Sequence, residues 1–226
     1  MINKKISMFL SLIKWPVALV AIIFLPALTI ELWNIILQFI LNINEYYWVG
    51  LGMIVYYALW KFLLERSNMS WLSTLEHEIT HCLFAWLSFN KVTNIHVTLT
   101  SGGHMNYAGY NNWLISIAPY FFPTLTFSLL IIQSWARVSD PFIFQFFIGW
   151  SMTYHLLSTW EETHPNQTDL KDVGFLFAWL FLPSMNLLSY ILIFNFISNK
   201  QITYSNLFDS ILNHQMVFLN FLRSGI

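Results

Sequence analysis

The chain has little charge. Of its 226 residues only 9% are Asp, Glu, Lys or Arg, and the net charge is -1. A soluble domain carries about 25% charged residues. This sequence therefore lacks the surface that a water-soluble globule of its size requires. A net charge near zero also removes the electrostatic footprint expected of a nucleic-acid-binding protein. Cysteine is almost absent: Cys82 stands alone, which excludes an intrachain disulfide and leaves it as a small apolar packing residue. Lys4, Lys5 and Lys14 precede an apolar stretch too long for a signal h-region, with no small-x-small cleavage pattern after it. There is no internal repeat and no low-complexity linker.

What the chain has instead is apolar bulk: 57% hydrophobic residues, 11 Trp, 21 Phe and a mean hydropathy of +0.57. The expectation is an all-α polytopic membrane protein forming one integral membrane domain over residues 1–226. Six apolar segments approach the roughly 20 residues that cross a bilayer. They run over about 15–40, 46–64, 70–89, 112–135, 141–160 and 173–197, with Pro26 as a kink in the first. Within this domain, 1–66 holds the N-terminal helices, 70–182 the chemical core, and 183–226 the rest of the last span and a tail. In the tail, 205–222, apolar positions alternate with Asp209, Asn213 and His214, as in an interfacial amphipathic helix.

One stretch departs from helical patterning. Val92-Thr93, Ile95 to Thr100 and then Gly102-Gly103 read as a short hairpin over about 92–108. Lipid cannot satisfy an open strand edge, so this element belongs outside the hydrocarbon or in a protein-lined cavity. Its edge could pair with an extended peptide.

Just before the hairpin stands His77-Glu78-Ile79-Thr80-His81, an H-E-x-x-H sequence within an apolar segment. Positions i and i+4 share a helix face, so His77 and His81 can grip one ion. Glu78 is placed to act as a general base beside them. Ionisable groups at membrane depth are costly, and a function is the default explanation. Catalytic zinc takes three protein ligands and keeps a fourth position open. The third ligand is open among His96, His104, His155, Glu161, Glu162, His164, Asp169 and Asp172. The polar run around Glu161, Glu162 and Lys171 separates two apolar segments and reads as a solvated loop; His96, His164 and His214 read as ordinary polar histidines.

The H-E-x-x-H helix, the hairpin behind it and the later Pro165-Asn166-Gln167-Thr168-Asp169-Leu170 resemble the site-2 protease family of intramembrane zinc metalloproteases, peptidase family M50, especially its M50B-like branch. The resemblance covers roughly 70–182. It implies one Zn2+ per chain held by His77, His81 and Asp169, with Glu78 as catalytic base. Asp172, one turn on, is the alternative or supporting carboxylate. The Gly that usually follows the Asp is replaced by Leu170, and Gly174 comes later. The family's G-P-x-x-N element is replaced by Ala118-Pro119-Tyr120-Phe121-Phe122-Pro123, which has no Asn. Substrate-binding roles therefore fall to Gly103, His104 and Asn106 in the hairpin and to His155 facing the helix bundle. The implied partners are a transmembrane protein substrate, the lipid bilayer and a regulatory membrane protein, with no nucleic acid.

Two further readings stay open. One is a membrane metallopeptidase acting on soluble or lipid-linked peptides, resembling the prenyl-peptide enzymes, for which a Glu ligand is usual. The other is a non-catalytic membrane protein with a vestigial zinc site. Topology also conflicts with the family. With six spans, Lys4, Lys5, Lys14, Lys61, Arg66, Arg137, Lys200 and Arg223 share one side and only Lys91 and Lys171 the other, which puts the site on the non-cytoplasmic side. Family members usually keep it near the cytoplasm; a re-entrant first segment would remove the conflict.

Overall fold

The computed structural model describes residues 1–64, 71–98, 102–136, 142–199 and 204–224. Among the described residues the regular structure is helical apart from one hairpin. The helices are α1 (Ile2–Leu41), α2 (Ile43–Leu59), which continues into a π-helical turn at Trp60–Leu64, and α3 (Trp71–Leu87). Strands β1 (Lys91–Val97) and β2 (Gly103–Ala108) follow, then α4 (Trp113–Ile117), a 3-10 turn (Ala118–Tyr120) and α5 (Thr124–Ala136). The chain ends with α6 (Phe142–Glu162), α7 (Thr168–Val173), α8 (Phe175–Asn199) and α9 (Tyr204–Ser224).

Among the described residues, α1 and α8 are long and apolar enough to cross a bilayer. The expected fourth segment, 112–135, is not one straight span. α4 with its 3-10 turn and α5 meet at 81°. Pro119 and Pro123 cause this break, because each removes a helical donor and crowds the preceding turn. The carbonyls released at the break find partners on α8: Asn186 donates to the Tyr120 carbonyl (2.9 Å) and Ser189 to that of Phe121 (2.8 Å). Six spans are thus not reproduced. Among the described residues α3 has 17, short of the roughly 20 that a span needs. The start of the third expected segment, at Ser70, lies outside the described residues.

Small residues set the close helix contacts, as expected where lipid offers no hydrophobic drive for association. A Cβ on Gly52 would lie 2.0 Å from the Phe146 carbonyl oxygen, and one on Gly149 2.0 Å from that of Val49. Helices α2 and α6 therefore touch backbone to backbone. Ala18, Ala21 and Ala27 do similar service on α1, where Ser184 of α8 donates to the Ala21 carbonyl (2.6 Å). Pro26 does not end α1, which is continuous from Ile2 to Leu41 and not re-entrant. Helix α9 docks on α1 through Leu207 and Ile211, and its Ser210 donates to Glu31 (2.5 Å).

The expected distribution of cations is corrected. Ser7 donates to the Asn111 carbonyl (2.6 Å), Asn3 to Asn90 (3.3 Å) and Lys14 to the Val173 carbonyl (2.7 Å). Trp60, at the end of α2, donates to Glu161 at the end of α6 (3.1 Å). The start of α1, the end of α2, the hairpin and α7 therefore share one end of the bundle. Lys4, Lys5, Lys14 and Lys61 lie with Lys91 and Lys171, not across from them. The reason is that α3 does not carry the chain to the opposite end: α2 and α3 both finish where the site is.

Candidate metal centre

Helix α3 ends in a way that fixes the hairpin against it. Phe89 has a φ of 57°, the Asn90 N–H reaches the Ala85 carbonyl (2.8 Å) and the Phe89 N–H that of Trp86 (2.9 Å). This is a Schellman termination with Phe in the place usually taken by Gly. Asn90, 4% exposed, then ties the two ends of the hairpin together through Tyr110: it donates to that residue's carbonyl (2.9 Å) and accepts from its N–H (3.1 Å). The antiparallel pairing runs from Lys91 opposite Ala108 to Val97 opposite Gly103, with a bulge between Val92 and Asn94. Gly103 sits on α3, where a Cβ would fall 2.7 Å from Thr74 Cγ2 and 3.0 Å from Glu78 Cγ.

Three side chains converge at this end. His77 Nε2 and His81 Nε2 lie 3.3 and 3.4 Å from the same oxygen of Asp169, Oδ2. Their ligand atoms all fall within 4.8 Å of one another. Tetrahedral zinc with bonds of about 2.0–2.1 Å places neighbouring ligand atoms about 3.3–3.4 Å apart. The two measured edges match that spacing, and two imidazoles with one carboxylate form a suitable donor set. The residues present therefore fit the ion. Glu78, 6% exposed, lies within electrostatic reach of His81, His77 and Asp169.

Each histidine is oriented from behind. His81 Nδ1 is 2.8 Å from the Ile115 carbonyl. A carbonyl only accepts, so Nδ1 carries the proton and Nε2 keeps its lone pair for a ligand bond. The Ile115 carbonyl is available because its helical partner four residues on would be Pro119, which has no N–H. Asn112 caps α4, accepting from the N–H groups of Leu114 and Ile115 (3.2 Å each), and so fixes where that carbonyl points. His77 Nδ1 is 2.9 Å from Glu162 Oε2.

Asp169 rides on α7, a one-and-a-half-turn helix. Leu170 and Val173 anchor α7 in the core, at 2% and 3% exposure, which is what Leu170 does in place of a glycine. Gly174, with a φ of 90°, ends it. Burial alone would raise the Asp169 carboxyl, but its hydrogen bonds with His77 and His81 outweigh this and hold it well below the usual carboxylate range.

The remaining expected residues scatter. Asp172 is exposed and lines a separate cavity with Lys14, outside the three-ligand group. His104 and Asn106 alternate onto the exposed face of β2, and His104 stacks on His96 with centroids 5.3 Å apart. His155 is 3% exposed inside the bundle, where Thr159 lies 3.4 Å from its Nε2. The solvated-loop expectation is corrected at Glu162, which is turned inward to His77 and Ser73. Glu162, weighed above only as a third ligand, instead meets the Nδ1 side of His77, and Tyr120 (hydroxyl 3.4 Å from Asp169) and Ile115 are parts of the centre absent from the expected set.

A helical membrane protein with a His-Glu-His helix and a facing aspartate belongs to the class of membrane metallopeptidases. The Peptidase M50B-like family model matches residues 45–215, and the chain belongs to that family. Comparisons with curated proteins and with solved structures find no match.

Proposed function

We propose that this protein is an intramembrane zinc endopeptidase that cleaves peptide bonds in or near transmembrane segments of other membrane proteins. The observation that carries the reading is the convergence of His77, His81 and Asp169 beside Glu78, each histidine presenting Nε2. Zinc bound there supplies Lewis acidity and an activated water. Glu78 accepts the proton released as the water attacks the peptide carbonyl, and returns it to the leaving nitrogen. Asp169, His77 and His81 would hold the ion, and the Ile115 carbonyl orients the His81 ring.

A transmembrane helix hides its carbonyls in i→i+4 hydrogen bonds, so the substrate must unwind before attack. The hairpin, seated on Glu78 through Gly103, offers a strand edge to hold it extended. His104 and Asn106, on the exposed face of β2, are the other candidate substrate contacts, and Glu78 the catalytic base. The site end also gathers Lys4, Lys5, Lys14, Lys61, Lys91 and Lys171. Among the described cations only Arg223 lies elsewhere, on α9 beyond His214, which meets Glu31 in the second half of α1. By the positive-inside rule this end faces the cytoplasm. The orientation of Glu161 toward Trp60 and of Glu162 toward Nδ1 of His77 favours an aspartate third ligand over a glutamate.

The test is zinc content and cleavage of a transmembrane model substrate, in wild type and Glu78→Gln. The variant should retain zinc and lose about 10²–10⁴-fold in cleavage rate. Undiminished cleavage would refute the assignment.

A further inference from the structure

Glu162 occupies an unfavourable place. It is the last residue of α6, next to Glu161, so two carboxylates stand at a helix C-terminus where the partial charge is already negative. Donors from other helices compensate for that placement. Glu161 takes the Trp60 indole N–H (3.1 Å). Glu162 Oε1 takes the Ser73 hydroxyl, and Oε2 takes His77 Nδ1 at 2.9 Å. Ser73 and His77 are four residues apart on one face of α3, so both oxygens of a single carboxylate read the same helix face.

We infer that Glu162 is a positioning residue for the metal centre: it fixes the tautomer and ring plane of His77 so that Nε2 faces Asp169. This rests on the zinc reading above. Glu162 does not face the ion position itself, because it meets Nδ1 while Asp169 meets Nε2 on the far side of the ring. An anion at Nδ1 keeps the proton there and makes Nε2 a better donor to a cation. Ser73 holds the other oxygen, so the carboxylate cannot swing away. The α2–α6 pair, locked at Gly52 and Gly149, is thereby connected to a metal ligand through one side chain.

The experiment is a zinc competition titration on the full-length protein in detergent, with X-ray absorption at the zinc edge. Glu162→Ala should weaken zinc binding about 10–100-fold, as other supporting carboxylates do. Glu162→Gln is the discriminating variant. Glutamine can accept from His77 and donate to Ser73, so a merely structural role would leave zinc affinity unchanged. Positioning by the anion predicts a fall of about tenfold with the fold intact. Ser73→Ala should have a smaller effect in the same direction. Wild-type affinity in Glu162→Gln overturns the inference while leaving the zinc reading in place. Loss of one oxygen scatterer in that variant also overturns it, by making Glu162 a ligand. A wild type that takes up no zinc overturns the zinc reading first, and this inference with it.

Discussion

Gly103 is the position where the packing of the hairpin and the chemistry of the helix meet most closely. Replacing it with Ala would put a methyl 2.7 Å from Thr74 Cγ2, 3.0 Å from Glu78 Cγ and 3.1 Å from the His96 carbonyl oxygen. Comfortable carbon–carbon contact is about 3.5–4.0 Å, so β2 must retreat from α3 by roughly 1 Å. Overpacking of this kind costs about 1–3 kcal/mol, which the fold should survive. Catalysis should fare worse, because a 1 Å misplacement near the chemistry can cost about 10²-fold. The expected result is a folded Gly103→Ala protein with normal zinc content and cleavage reduced about 10–100-fold. Gly102→Ala is the control: its φ of 84° disfavours a side chain, yet nothing lies within 4 Å of the added Cβ. It should lose about 1–2 kcal/mol of local stability and keep most activity. Thr74→Ser removes the nearest obstructing atom and should restore part of the activity of Gly103→Ala, giving a favourable coupling in a double-mutant cycle. Full activity in Gly103→Ala, or no rescue by Thr74→Ser, would refute the idea that β2 must lie against Glu78.

Other outcomes follow from the same geometry. Asp169→Asn should weaken zinc binding, whereas Asp172→Asn should bind zinc like wild type, because Asp172 lies outside the ligand group; competition titration separates them. Gly149→Ala places a Cβ 2.0 Å from the Val49 carbonyl oxygen, so thermal unfolding should shift down by roughly 2–12 °C. Removing zinc with a chelator should abolish cleavage, and added Zn2+ should restore it without refolding.

Some of this was legible because it is local. The H-E-x-x-H spacing needs only helical periodicity to bring His77 and His81 together, and the β-branched run before Gly102-Gly103 needs only alternation to make a hairpin. Asp169 was reached through the family resemblance and not through spacing, since nothing local distinguishes it from Asp172. Glu162 was obscured for a physical reason: a carboxylate in a polar run between apolar segments is usually solvated, and only the tertiary approach of Ser73 and His77 makes it an internal group. The side on which each cation lies is not legible from apolar segments alone, because α2 and α3 finish at the same end of the bundle.

Pro119 carries a signal of a different kind. A proline at position i deprives the carbonyl at i−4 of its helical donor, and in an apolar setting that carbonyl needs another partner. The rule points from Pro119 to Ile115, and the Ile115 carbonyl is the group that accepts the hydrogen bond from His81 Nδ1–H (2.8 Å). The same break leaves the Tyr120 and Phe121 carbonyls to Asn186 and Ser189 of α8. A broken helix in this chain is thus also the support of a metal ligand. Restoring a donor at 119, as in Pro119→Ala, would let the helix reclaim Ile115 and free His81 to turn.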